Sequence, residues 1–356
     1  MKKTHILFFV LAFACIVVAD LFFDEYGLAK LNNIAIFIIL AISYNLINGV
    51  TGQFSLEPNG FVAVGAYVAA LLLLDADAKS YQFDVEDPAE LILALHVGNF
   101  IITMIISGIC ATILALILAV PVFRVRGDYL AIVTLGFGFI ITLLAINFPS
   151  FTNGSLGLTG VMLKDENGDP TLRYTNIYYS GISAIIAVIV ILNIVYSKFG
   201  RAMKAVRDDE DAASAMGVNT FKIKTLAFCV SAFFEGVGGA LLVGLLGSVT
   251  PDQFTFLFTF QLLIIIVLGG LGSTSGAILG AILVIGGSEW LRFLDEYPIY
   301  LPFMDSFGYE PRALPGLRMV VFSVILILVM LFARRGIMGQ LELTDVFKKL
   351  KKGLKR

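Results

Sequence analysis

Long apolar runs separated by short polar breaks dominate the chain. Ile34–Ile42, Ile101–Val122 and Val320–Ala333 carry almost no charge. The hydrocarbon core of a bilayer takes about 20 apolar residues per spanning helix. The pattern predicts helices at about 5–23, 33–50, 59–74, 91–121, 129–148, 177–196, 225–248, 257–270, 276–292 and 315–333. The expected fold class is therefore an all-α membrane protein of about ten transmembrane helices. Lys2 and Lys3 ahead of the first run resemble a signal peptide. No small-residue cleavage site follows, however, and Asp20 interrupts the run late, so it is read as a retained first helix.

Glycine breaks complicate the simple spans. The chain holds 34 glycines, many inside or between apolar stretches. Small residues let helix backbones approach closely in lipid, where hydrophobicity no longer drives association. The segments from Asn48 to Gly60 and from Leu268 to Gly276 go further than packing, punctuating apolar runs with Gly, Ser and Pro. Each is followed by a Gly-Ala step, Gly65-Ala66 and Gly280-Ala281. Such breaks predict broken or re-entrant helices and an internal repeat, with ordinary tight turns as the other reading. Freed backbone groups are tolerated at membrane depth only where protein or water surrounds them. That nominates Thr51, Gly52, Gln53, Ser55, Asn59, Thr134, Gly136, Gly138, Gly270, Gly272 and Ser273 as pathway candidates. Core packing explains the same glycines equally well.

Composition agrees with lipid as the solvent. Hydrophobic residues make up 58%, charged residues 15%, and mean hydropathy is +0.91. Soluble domains average about 25% charged residues. Cys15, Cys110 and Cys229 all lie in apolar runs without metal or redox spacing, and are read as buried hydrophobes. His5 and His96 sit near ends of apolar runs and make no catalytic or metal constellation. A formal charge of −2 gives no sign of nucleic acid, and Trp290 reads as an interfacial anchor.

Charge orients the spans. Eighteen of the 25 lysines and arginines fall on the N-terminal side of a ten-helix topology, including Arg124, Arg126, those from Lys198 to Lys224, and Arg334 to Arg356. Positive residues stay cytoplasmic, so both termini are expected there. The transmembrane domain is then 1–333, with external loops at 75–90, 149–176 and 293–314 and a basic cytoplasmic tail at 334–356. The first external loop is strongly acidic. The tail is expected on anionic lipid, with partner recognition as the alternative.

Ionisable residues at membrane depth are costly and default to functional hypotheses. Asp20 and Glu289 lie near the outer ends of their helices, within reach of water, and Asp128 reads as an N-cap. Glu235 lies some ten residues into its span. It could line the pathway, pair with another helix, or be neutral.

The loop 197–224 is longer than a turn requires. Asp208, Asp209, Glu210 and Asp211 place negative charge at the start of a short helix, favourable against its dipole, and Gly217 stops it. The helix is expected to present Ala212, Ala213 and Met216 to a partner's cleft, a solvated loop being the other reading. Asp211-Ala-Ala-x-x-x-Gly217 resembles the Glu-Ala-Ala-x-x-x-Gly coupling loop of ABC-importer permeases. Gly200-Arg201-Ala-Met-Lys-Ala-Val-Arg207-Asp208-Asp-Glu210 is similar to the branch for branched-chain and related hydrophobic amino acids, the LivM type. The stretches Arg126–Gly138, Asn153–Gly160, Pro251–Phe256, Val267–Ser273, Arg318-Met-x-x-Phe322 and Leu331–Gly336 also resemble it.

The resemblance implies an inner-membrane permease working by alternating access. Its implied partners are a second, homologous permease, two cytoplasmic ATPases that dock on this loop, and a periplasmic substrate-binding protein. ATP and Mg would reside on the ATPases, with no cofactor on this chain and no enzyme activity of its own. The chain departs from the pattern at Glu57-Pro58-Asn59, Phe139, Thr142, Glu235 and the long acidic loop. These departures touch the substrate, since relatives also carry urea or short amides. An ion-coupled secondary transporter would suit the glycine breaks but needs no docking helix. A membrane enzyme lacks clustered His, Cys or paired carboxylates.

Overall fold

In the computed structural model, residues 13–14, 16–83, 95–124, 129–164, 170–292, 295, 316–332 and 336–339 are described. Helix α1 spans Glu25–Asn45 and passes into a π turn at Leu46–Val50, and α2 spans Pro58–Leu73. A short α3, Ala76–Gln82, follows, then α4 at Phe100–Val122, α5 at Tyr129–Asn147 and α6 at Ile177–Tyr196. Two short helices come next, α7 at Lys198–Asp208 and α8 at Glu210–Ala215, then the long α9 at Thr220–Leu246. The chain continues with α10 at Phe256–Gly269, α11 at Thr274–Ala281 with its continuation to Trp290, and α12 at Leu317–Phe332.

Among the described residues, five helices are long and apolar enough to cross a membrane, or seven if each of two bent pairs counts as one span. The all-α membrane class expected from the hydrophobic pattern therefore holds. The expected first helix falls largely outside the described residues, though 13–14 and 16–22 are helical. The loop 293–314 lies outside them except for Asp295, as does the tail except for Gly336–Gly339.

Capping residues move several helix starts away from the apolar runs. The Asp24 carboxylate accepts from the Gly27 backbone N–H at 3.0 Å, so α1 begins well before the expected residue 33. Its first turns are polar, yet Asn32 is buried, taking a 2.5 Å hydrogen bond from the Ser180 hydroxyl of α6. Asn99 caps α4 through the N–H groups of Ile101 and Ile102, and Asn219 caps α9 through Lys222. Side-chain acceptors satisfy the donors that a helix start leaves free.

The centre of the bundle is α9, packed against α1, α2 and α4, and glycine sets how closely they meet. A Cβ at Gly65 would strike the Gly236 carbonyl, one at Gly239 the Val62 carbonyl, and one at Gly236 the α4 backbone at Ser107. The outer face of α4 instead exposes Ile101, Ile105, Ile109, Ile113 and Ile117. That inversion suits a lipid solvent, where burial selects small residues and exposure large apolar ones.

The expected spans at 257–270 and 276–292 form a single bent unit. Helix α10 and the segment Thr274–Trp290 meet at 120° across a short break. At 14 residues α10 is roughly 21 Å long, short of the roughly 30 Å hydrocarbon core. Gly270 and Gly272, at φ +118° and +86°, make the reversal, and the Gly269 and Gly276 backbones touch across it. On the opposite end of the bundle, Gln82 clamps Thr159, donating to its carbonyl at 2.6 Å and accepting from its N–H at 2.9 Å. Leu158–Thr159 pairs antiparallel with Ser248–Val249 beside it.

Gly239→Val should force α2 and α9 apart and cost about 1–3 kcal/mol, the usual range for overpacking. At Gly136, inside α5, an added Cβ meets nothing within 4 Å, so Gly136→Ala should raise stability slightly, by up to about 1 kcal/mol. Thermal unfolding of the two variants in detergent compares them directly.

Candidate coupling and translocation site

The first glycine break is built by side chains that replace a lost helical ladder. After the π turn, the Thr51 hydroxyl and N–H both donate to the Leu46 carbonyl. Gly52, at φ +71°, turns the chain back at a point where a side chain would strike Arg207. The returning strand lies beside α1. Ser55 donates its N–H to Asn48 Oδ1 at 2.8 Å, and its carbonyl accepts from the Tyr44 hydroxyl at 2.7 Å and from Asn48 Nδ2 at 3.3 Å. The Leu56 N–H donates to Thr134 Oγ1 of α5 at 2.9 Å, and Pro58 then opens α2.

Asn59 in the first turn of α2 ties three further segments together. Its N–H donates to Thr259 Oγ1 at 3.2 Å, its Nδ2 to the Phe254 carbonyl at 3.1 Å, and its Oδ1 accepts from Thr259 at 3.1 Å. Gly138 of α5 packs against the same side chain, leaving no room for a Cβ. Ser55, Asn59, Thr134 and Gly138 thus form one buried polar cluster. Glu235 reaches its edge from α9, 0% exposed, with its Oε1 accepting from Ser231 at 2.9 Å. Glu57, also 0% exposed, lies two residues beyond Ser55 on the same returning segment, whose carbonyl Tyr44 holds. Two departures from the sequence pattern therefore fall together. Gly136 stands outside the cluster, Gly52 is exposed and Gln53 half-buried.

The second break meets the first. The Gly272 N–H donates to Asn45 Oδ1 at 2.9 Å, and Gly49 and Gly272 are in backbone contact. Ser273 caps α11 by accepting from the Gly276 N–H at 3.0 Å. On the other side of this break, Ile337 and Met338 donate their N–H groups to the Leu268 and Gly269 carbonyls, and Gly270 packs on Gly339.

The loop 197–224 folds as two helices against this junction. Ser197 caps α7, Gly200 presses on the end of α6, and Met203 and Val206 are buried while Arg201 is exposed. Arg207 pairs with Asp208 at 3.1 Å and donates from Nη1 to the Gly49 carbonyl at 3.3 Å. Asp209 caps α8 through the Ala212 N–H at 2.9 Å, and Gly217, at φ +85°, ends it. Glu210 holds Lys224, 4% exposed at the base of α9, with Oε2 to Nζ at 2.6 Å. Ala212 and Asp211 are exposed and Met216 is 84% exposed, whereas Ala213, expected on the outer face, packs inward at 5%. The Val218 N–H bonds back to the Ala213 carbonyl, and this fold of the chain turns that face toward the bundle.

Several residues of the site escaped sequence reasoning: Tyr44, Asn45, Ser231 and Thr259, while Glu57 was legible only as a departure from the pattern and Asn48 and Lys224 only as bounds of the break and of the loop. The chemical signal for Asn45 and Asn48 was a pair of amides inside an apolar run. Of the other ionisable residues, Asp20 accepts from the Tyr178 hydroxyl at 2.7 Å, and Glu289 stands 4.0 Å from both Lys30 and Arg292. Trp290 is 75% exposed, and Asp128 lies outside the described residues.

A family model described as branched-chain amino acid transport system / permease component matches residues 28–330. The high-affinity branched-chain amino acid transport system permease protein LivM of Escherichia coli (strain K12) is 32% identical over 290 residues, 75% of this chain and 64% of that protein. LivM of Salmonella typhimurium (strain LT2) is 30% identical over 318 residues, 82% of this chain and 70% of the relative. The E. coli (strain K12) permease LivH is 26% identical over 318 residues, 86% of this chain and 92% of LivH. No solved structure matches the chain. The match over residues 28–330, with the LivM similarity on both sides of the loop, places this chain in the family of branched-chain amino acid transport permeases, LivM-type, which are transport components rather than enzymes.

Proposed function

We propose that the chain is the membrane-spanning permease of an ATP-driven importer for branched-chain or other hydrophobic amino acids. The single observation that supports this best is the double anchorage of the 197–224 loop. One end grips the first helix break through Arg207 and Gly49, the other grips α9 through Glu210 and Lys224. Within the segment that the Glu210–Lys224 pair closes, the loop turns Ala212 and Met216 outward. A cytoplasmic ATPase seated on that face would move both the break and the central helix, and alternating access follows from their rearrangement.

The remaining assignments rest on the family and on charge. LivM-type and LivH-type relatives occur as permeases of the same named transport system, which supports a heterodimer with a second, homologous permease. Two ATPases holding ATP and Mg and a periplasmic binding protein complete the assembly. The excess of basic residues in these loops supports a cytoplasmic position for the 197–224 segment and both termini, in a cell with an inner membrane. About ten spans then follow if α10 and α11 cross as separate limbs and the first predicted helix is retained.

Ala212→Arg combined with Met216→Arg should abolish co-purification of the ATPase. Exposed substitutions usually change stability by less than about 0.5 kcal/mol, so the chain itself should still insert and melt normally. Retention of the complete complex would remove the docking assignment. Glu210→Gln leaves Lys224 as a buried, uncompensated charge, a loss of about 3 kcal/mol or more. ATP hydrolysis should persist while uptake falls, and the exchange Glu210→Lys with Lys224→Glu should restore part of it. In proteoliposomes of the full assembly, labelled leucine should accumulate with ATP; accumulation of urea instead would overturn the substrate class.

A further inference from the structure

Glu57 immediately precedes α2, yet its side chain makes no capping bond to that helix. Both of its carboxylate oxygens are buried without a hydrogen-bond partner, as are Glu235 Oε2 and the Ser55 hydroxyl. The partner that Glu235 does have is shared. The Ser231 hydroxyl lies 2.9 Å from Glu235 Oε1 and 2.8 Å from the Ser43 carbonyl, and it has one proton to give. Neither glutamate belongs to an ion pair among the described residues. Hydrogen bonds bring the two together: Ser231, the partner of Glu235, bonds the Ser43 carbonyl, and the adjacent Tyr44 bonds the carbonyl of Ser55, two residues before Glu57.

A buried carboxylate without a counter-charge is among the costliest arrangements in a fold, and lipid offers no water to relieve it. Protons would remove the charge, but each serves at most two oxygens and leaves the others unpartnered. A cation answers several oxygens at once. The neighbourhood supplies only oxygen ligands, the preference of hard cations. No group of three or more His, Cys, Asp or Glu that could hold a metal ion occurs among the described residues, so a divalent cage is not assembled here.

We propose that Glu57 and Glu235, with the Ser55 and Ser231 hydroxyls, form an occluded site for one singly charged cation. The shared chemistry is a compact positive charge, from an inorganic monovalent ion or from the ammonium group of the cargo. The cargo source rests on the permease reading above; the inorganic source does not. The site joins the start of α2 to α9, whose base is held by the 197–224 loop through Lys224. Its occupancy and the position of that loop are therefore linked through one helix.

The test is equilibrium binding of radiolabelled Na⁺ and of radiolabelled methylammonium to the purified full-length chain in lipid nanodiscs, at constant ionic strength set with choline chloride. No ATPase or uptake is needed, so failure of the importer assignment leaves the result readable. Saturable binding of one equivalent of either probe is expected, weakened at least tenfold by Glu57→Gln or Glu235→Gln and lost in the double variant. Na⁺ binding assigns an inorganic ion; methylammonium binding without Na⁺ assigns the cargo's ammonium group. Wild-type melting should also rise in NaCl or methylammonium chloride relative to choline chloride, a readout that needs no variant, since a ligand of the folded state stabilises it. No saturable binding of either probe to the wild-type chain would overturn the proposal. So would binding that survives in the double variant, or saturation only by Mg²⁺.

Discussion

A backbone N–H or C=O inside a bilayer must find its partner within the protein, and the rest of this molecule is arranged around that constraint. Continuous helices meet it without help. The two glycine breaks do not, and a cluster of buried polar side chains gathers where they fall. Asn45 serves the Gly272 amide, Asn48 and Tyr44 serve Ser55, and Thr134 serves Leu56. Asn59 extends the arrangement to Phe254 and Thr259. Deleting Asn45, Asn48 or Thr134 strands a backbone N–H, which costs more than the bond itself is worth, whereas the Ser55 carbonyl keeps the Asn48 amide when Tyr44 is lost.

Glycine is the complement of those amides. The close approach of α2 to α9, and of the first break to the second, leaves no space for a Cβ at Gly49, Gly65 or Gly239. Small residues at crossings and amides at breaks solve two halves of one problem. The first lets helices meet without hydrophobic force, the second lets them end before the membrane does. Large apolar residues are then spent on the outside, as the isoleucine face of α4 shows.

Much of this was legible from residue order, and what was not has a physical cause. Helices α5 and α6 match their apolar runs to within a residue, since nothing polar blurs their ends. Both glycine breaks and the stop at Gly217 were visible because positive φ is a glycine property. The start of α1 was not, because Asn32 is polar by sequence and buried by a partner 148 residues away. Ala213 was placed on the wrong face because a six-residue helix has no periodicity from which to read one. The 120° bend between the expected spans 257–270 and 276–292 was not legible for a related reason. Hydropathy records that each limb is apolar, while the reversal depends on backbone contact between Gly269 and Gly276. Glu57 and Glu235 are 178 residues apart, and only the fold brings them together.

The two anchors of the 197–224 loop differ in strength, and the difference sets a direction for any movement. Lys224 is almost fully buried and held by a carboxylate at 2.6 Å, so leaving that partner exposes or strands a charge. Arg207 reaches the Gly49 carbonyl at 3.3 Å, is partly exposed, and already holds Asp208. Its bond to the break can be exchanged for water at little cost. Under the proposed docking, a load on α8 would turn the loop about its α9 end and release the break end first. Gly49 and Gly52 next to Arg207 have no side chains to catch on it, and the packed glycines of the second break lie directly behind. Interfaces of this kind shift between discrete packings rather than deforming smoothly. The fold thus places the weaker of the loop's two anchors at the point where a helix is already broken, where letting go disturbs no ladder.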